Sequence, residues 1–98
     1  MKRDEILDAA RQAVMVDRAA THGDAESNFS VIAGHWSWWL QTKLKPGQFV
    51  TAYDVAQMMT GFKQARAMGN PGHEDSHVDA AAYAALAGEI ATGGRDAG

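Results

Sequence analysis

The stretch from His73 to Glu89 reads H-E-D-S-H-V-D-A-A-A-Y-A-A-L-A-G-E. Alanine is the strongest helix former, and Ala80, Ala81, Ala82, Ala84, Ala85 and Ala87 crowd the middle of this run. The pattern predicts a helix from about Glu74 to Thr92. Asp75 and Asp79 then lie one turn apart at its start, since residues three or four apart share a helix face. Asp79 is also in register with Ala82 and Leu86, which turns it inward, and an inward acid needs a partner. A helix this slim admits close neighbours on more than one side. It belongs at the centre of a bundle or at a subunit interface.

Reading backwards from this helix, N-P-G-H at Asn70 to His73 stops a preceding helix that opens at Thr51. Thr51 followed by Asp54 resembles a capping box, and Val55, Met58, Met59 and Phe62 supply an apolar face. Lys63 and Arg66 close that helix one turn apart. In an antiparallel hairpin they meet the start of the last helix, so two bases face two acids. Arg66 shares the stripe of Val55, Met59 and Phe62, which suggests a partly enclosed guanidinium. Further upstream, K-P-G-Q at Lys45 to Gln48 forces a turn. Before it a helix is expected from about Ala25 to Leu44, with Phe29, Ile32, Ala33, Trp36, Leu40 and Leu44 as its buried stripe. The first helix spans about Arg3 to Ala20, with Ile6, Leu7, Ala10, Ala13, Val14 and Asp17 in helical register and T-H-G-D at Thr21 to Asp24 ending it. Four helices with short links and no convincing strand predict an all-α, compact four-helix bundle. Residues 1–93 form one helical domain and 94–98 a flexible C-terminal tail.

Composition narrows the function. The chain has 98 residues, no cysteine and a formal net charge of −3, so thiolate chemistry and disulfides are excluded. The bases are scattered, whereas electrostatic nucleic-acid binding needs a basic face. No apolar run approaches the roughly 20 residues of a membrane span, and the N-terminus lacks the apolar core of a signal peptide. A cytoplasmic location is expected.

The Lys63, Arg66, Asp75 and Asp79 cluster has two readings. Carboxylates one turn apart can share Mg²⁺ while the bases meet phosphate, or the four groups simply form ion pairs. An arginine forks onto a carboxylate or a phosphate equally well. Ser76 with Asp79 offers a further capping box. His73 and His77 have ligand spacing but no third ligand for zinc. Met15, Met58, Met59 and Met68 read as core fillers. Trp36 follows the buried stripe of the second helix and Trp39 lies close to it. Trp38 falls about 200° around from Trp36 at 100° per residue. An exposed tryptophan marks an interface or a surface on which a base can stack.

The D-x-x-x-D helix with its small-residue run and tyrosine (Asp75, Asp79, Tyr83) resembles the last core helix of MazG-like all-α NTP pyrophosphatases. H-G-D with a following N-F (His22, Gly23, Asp24, Asn28, Phe29), then D-V-A-Q-M-M and K-Q-A-R, is also similar to small phage and prophage proteins, from about Ala20 to Glu89. The MazG-like resemblance implies Mg²⁺ held by four acids, E-x-x-E on one helix and E-x-x-D on a later one. Here Asp79 stands for the last acid, Ser76 occupies the preceding glutamate position and Asp75 lies one residue earlier. Asp54 and Glu26 are the acids left for the first pair, so the pattern is degenerate.

The resemblance implies nucleotide handling, either as a Mg²⁺-dependent nucleoside triphosphate pyrophosphohydrolase or as a non-catalytic binder. Asp75, Asp79, Asp54 and Glu26 would serve the metal, Lys63 and Arg66 the phosphates, and Tyr83 or Trp38 the base. The alternatives are an accessory protein that binds another protein, for example of the host, and a purely self-associating domain. A homo-oligomer, most simply a two-fold dimer, is expected from the three tryptophans and the slim last helix.

Overall fold

The structure is a computed structural model that describes residues 1–17 and 25–94. Among these it contains four α-helices and no strand: α1 Arg3–Gln12, α2 Ala25–Trp39, α3 Ala52–Gly69 and α4 Glu74–Thr92. The all-α bundle expected from the sequence is what the chain adopts. α1 runs on into a π-helical turn at Ala13–Asp17. The last residues expected in the first helix, together with His22, Gly23 and Asp24, lie outside the described residues.

α4 occupies the middle, packed along α3 on one side and against α1 on another, while α2 rests on α3. The alanine run explains this placement, because small side chains let two backbones approach. The main core joins Phe29 and Ala33 of α2, Val55 and Ala56 of α3, and Leu86 and Ala87 of α4. A second cluster joins Ala10 of α1 to Val78 and Ala82 of α4, with Ile6, Ala9, Ala13 and Val14 against it. Leu7 points away, 63% exposed.

Three local devices set the boundaries. Thr51 caps α3: its hydroxyl accepts from the Asp54 N–H at 3.2 Å, and the Asp54 carboxylate accepts from the Thr51 N–H at 2.9 Å. The capping box works with aspartate in the glutamate place. Gly93 ends α4 in the left-handed region at φ 67°, where glycine carries no Cβ penalty. Between α2 and α3, Lys45 C=O accepts from the Gln48 N–H at 3.0 Å with Gly47 at φ 82°. Pro46 and Gly47 thus hold the two central positions of a type II turn.

α2 is shorter than its apolar periodicity suggests, ending at Trp39 rather than near Leu44. Beyond it the ladder tightens into turns, Lys43 N–H donating to Leu40 C=O at 2.8 Å. Two constraints act there. Pro46 disfavours helical dihedrals at Lys45, and the chain folds back so that the Val50 N–H donates to Ser37 Oγ at 2.9 Å. Leu40 and Leu44 stay half-buried in this folded-back segment.

Four packing expectations need correction. Trp39 is 69% exposed rather than close to the core. Met15, Met58 and Met68 are also exposed, so of the four methionines read as core fillers only Met59 packs against the core. Phe62 lies half in solvent on the supposed apolar face of α3. The buried positions are held instead by small side chains, Ala56 and Ala87 in the main core and Ala82 in the second cluster. Arg66, expected partly enclosed, is exposed as well.

Candidate functional site

Lys63 sits seven residues after Ala56, two turns along the face of α3 that meets α4. Asp79 lies one turn before Tyr83 on the α4 face that meets α3 and α2. The antiparallel hairpin through Asn70–His73 brings these positions together, and Lys63 Nζ stands 3.0 Å from Asp79 Oδ2. The pair is partly screened from water, its side chains 19% and 38% exposed respectively.

The other members of the expected cluster are not drawn into this pair. Asp75 is exposed in the first turn of α4, where it complements the helix dipole. The Arg66 guanidinium lies over the Phe62 ring, 5.9 Å from its centroid, and Lys63 Nζ lies 5.8 Å from the same centroid. Phe62 therefore has both cations close to its half-exposed ring. The sequence reading missed this contact, although the i, i+4 spacing of Phe62 and Arg66 could have flagged it.

Tyr83 is half-buried against Phe29, the ring centroids 6.1 Å apart and tilted by 37°. Phe29 is 1% exposed, so Tyr83 is tied to the α2 core by its ring. Glu26 lies three and seven residues before Phe29 and Ala33, on the side of α2 that turns toward the core, and is exposed in the first turn. Asp54 differs. It is the capping acid of α3, eight residues before Phe62 and nine before Lys63. Trp38 lines an open cavity of about 670 Å³ together with Ser37, Phe49, Val50 and Ala52. That places it beside the start of α3, and Lys63 lies eleven residues beyond Ala52, about 16 Å along the helix at 1.5 Å per residue. Within one chain Trp38 and Lys63 do not share a site.

The hairpin turn uses its polar groups locally. His73 Nδ1 and Ser76 Oγ share a hydrogen bond of 2.9 Å, and Ser76 is 2% exposed. His77 Nε2 pairs instead with Pro71 C=O at 2.8 Å. The two histidines engage different neighbours, and Ser76 serves His73 rather than a capping box with Asp79. Among the described residues no three His, Asp or Glu side chains converge closely enough to hold a metal on their own.

Chemically, the hairpin end offers one anchored ammonium, one free-standing guanidinium and two carboxylates one turn apart. It suits a ligand that brings its own negative oxygens. A comparison with protein families matches residues 5–91 to a domain of unknown function, DUF6378. The chain belongs to that family. It is also 40% identical over 81 residues to the Gene 55 protein of Mycobacterium phage L5, across 83% of this chain and 49% of that protein. The chain thus spans about half the length of this phage relative, and the likeness makes it a phage-type member of its family. No solved structure matches it. No helix among the described residues is long and apolar enough to cross a membrane.

Proposed function

We propose that this phage-type protein handles nucleotides in the manner of the MazG-like all-α proteins it resembles. The reading rests on one observation: a partly buried lysine held 3.0 Å from an aspartate where two consecutive helices meet. Lys63 is positioned by Asp79, and Arg66 follows one turn on without an ion pair among the described residues. Phosphate oxygens entering between them would take hydrogen bonds from both. Phe62, half-exposed beside those cations, would offer a base an aromatic surface nearer to the phosphates than Trp38.

Mg²⁺ fits this arrangement only together with a ligand. It is commonly held by one or two carboxylates, several waters and substrate phosphates rather than by an all-protein cage. Asp75 and Asp79, one turn apart on α4, are the carboxylates that would serve it, while Glu26 stays exposed in the first turn of α2. Bound there, the ion would polarise a phosphoryl oxygen and activate a water. Asp79 would be the carboxylate shared between the ion and the Lys63 ammonium it already holds. Asp54 is left to its capping role.

Thermal unfolding with nucleoside triphosphates and diphosphates, with and without Mg²⁺, tests the proposal. A ligand at 100 times its Kd stabilises the folded chain by about 2.7 kcal/mol. The shift should need Mg²⁺, vanish in Lys63→Met and survive Asp54→Asn once its smaller stability is allowed for. Chromatography of the same mixtures, resolving monophosphate and pyrophosphate, separates hydrolysis from binding alone. No stabilisation by any nucleotide at millimolar concentration would defeat the reading.

A further inference from the structure

The cavity beside the start of α3 has two walls of different origin. One is a single face of α2 and its continuation: Ser30, Ala33, Gly34, Ser37, Trp38 and Gln41 recur at the helical interval, and all of them line it. The other is the folded-back segment 44–52. Ser37 fastens the two walls together, its hydroxyl accepting from the Val50 N–H at 2.9 Å and donating to the Val50 C=O at 3.4 Å. That clasp keeps Phe49, the neighbour of Val50, on the second wall. Trp38 is the aromatic side chain of the first wall. The rings of His35 and Trp39 flank it, with centroids 5.8 Å and 6.2 Å away. The volume between the walls is about 670 Å³, inside the range of about 300–1,000 Å³ that takes one small molecule.

Gly34 lies on the floor of this cavity, one turn from Ser30 on one side and from Trp38 on the other. Glycine weakens a helix interior relative to alanine. A Cβ built at Gly34 meets no neighbouring atom within 4 Å, and its backbone is not in the left-handed region. Neither the packing nor the dihedrals of the chain call for glycine there, whereas the close approach of a ligand to the helix backbone does. A flat protein surface would rest on Trp38 and Phe49 at the rim without reaching that floor; a thin ring system reaches it. The charges are one-sided as well. Among the described residues that line the cavity Lys45 is the one charged side chain, and no carboxylate joins it. Its ammonium has no ion pair among the described residues. The nearby Asp54 carboxylate is engaged on the Thr51 N–H at 2.9 Å. The Gln41 and Gln48 amides and the Ser30 hydroxyl add hydrogen-bonding groups without charge. One cation balances one negative charge, not the several of a triphosphate.

We infer that this cavity binds a small planar aromatic monoanion, in its simplest form an aryl carboxylate. The ring lies against the backbone at Gly34 beside Trp38 and Phe49, and the carboxylate meets Lys45. The site is separate from the Lys63–Asp79 pair, which stands about 16 Å along α3 from Ala52. Naphthoate is the probe, with naphthamide as its uncharged counterpart and cyclohexanecarboxylate as its non-aromatic one. Titrated into the isotope-labelled full chain, naphthoate should shift the indole N–H resonance of Trp38 and the amides of Gly34 and Gly47, whether or not any nucleotide binds at Lys63. Both counterparts should bind more weakly. Lys45→Met should weaken naphthoate about fivefold, the scale of an exposed ion pair, and leave naphthamide unchanged. Gly34→Ala separates a ligand role from a structural one. It should raise Tm, as alanine does within a helix, yet weaken naphthoate about tenfold or more. Gly88→Ala, away from the cavity, should raise Tm and leave the affinity as it was. No shift at millimolar naphthoate overturns the inference, as does a Gly34→Ala chain that binds as before or melts at a lower temperature. Displacement of naphthoate by a nucleoside triphosphate overturns it too, since the cavity would then belong to the nucleotide site.

Discussion

Replacing Lys63 by methionine and Asp79 by asparagine, singly and together, tests whether the hairpin ends are coupled as the geometry implies. Methionine preserves much of the lysine stem, so the packing of that stem changes little while the charge disappears. The contact is short, 3.0 Å, yet the Asp79 side chain is 38% exposed and keeps part of its hydration. The pair therefore falls near the upper end of partly solvated ion pairs, with a coupling energy of about 1 kcal/mol. Each single substitution should lower stability by about that amount, and the double variant should lose little more than either one. For a domain of this size 1 kcal/mol shifts Tm by about 4–8 °C, which is readily measured beside urea titrations. High salt should shrink the coupling, because the exposed half of the pair is screened. Additive single effects, with a coupling below about 0.3 kcal/mol, would mean that the pair does not form in solution. A loss above about 3 kcal/mol for either single change would mean a fully buried pair, and the partial exposure would be wrong.

Two further substitutions probe the packing. Phe29→Ala empties the largest fully buried position and removes the support of Tyr83, so it should cost about 3–5 kcal/mol, read as loss of a cooperative urea transition or a sharply lower midpoint. Gly88→Ala adds a methyl group to an exposed helical position with nothing within 4 Å of the new atom. It should stabilise the chain by about 0.5–1 kcal/mol; a loss of stability would place a neighbouring chain against that side of α4.

The helical boundaries were legible wherever a single residue type dictates the backbone. Pro71 with its flanking Asn70 and Gly72, Thr51 with Asp54, and the glycines after Thr92 marked their ends within a residue or two. The end of α2 was not legible, because the clasp between Ser37 and Val50 joins residues thirteen apart and leaves no mark in the local apolar period. Burial was misjudged for a related reason. Helical register says which side chains share a face, but it cannot say how close the neighbouring helix comes. On α3 it is Val55 and Ala56 that are fully buried, while Met58 and Phe62 stay half-exposed. At the site the useful clue was the antiparallel hairpin through Asn70–His73, which brings Lys63 to the start of α4. Arg66, three residues on, was rotated too far to follow it inward.

The two ends of α3 are thereby given different work. At its start and along its outer flank the side chains are aromatic or sulfur-bearing and half uncovered, and their free energy is lowered by any surface that excludes water. At its far end Lys63 and Arg66 retain long stems over Phe62 and present their charges outward, where burying either one unpaired would be costly. Asp79 already answers one of them, and Asp75, one turn away and exposed, stays accessible. On this argument the charged end of α3, where Lys63 meets Asp79, is the part of the helix that stays open to a ligand bearing its own negative oxygens.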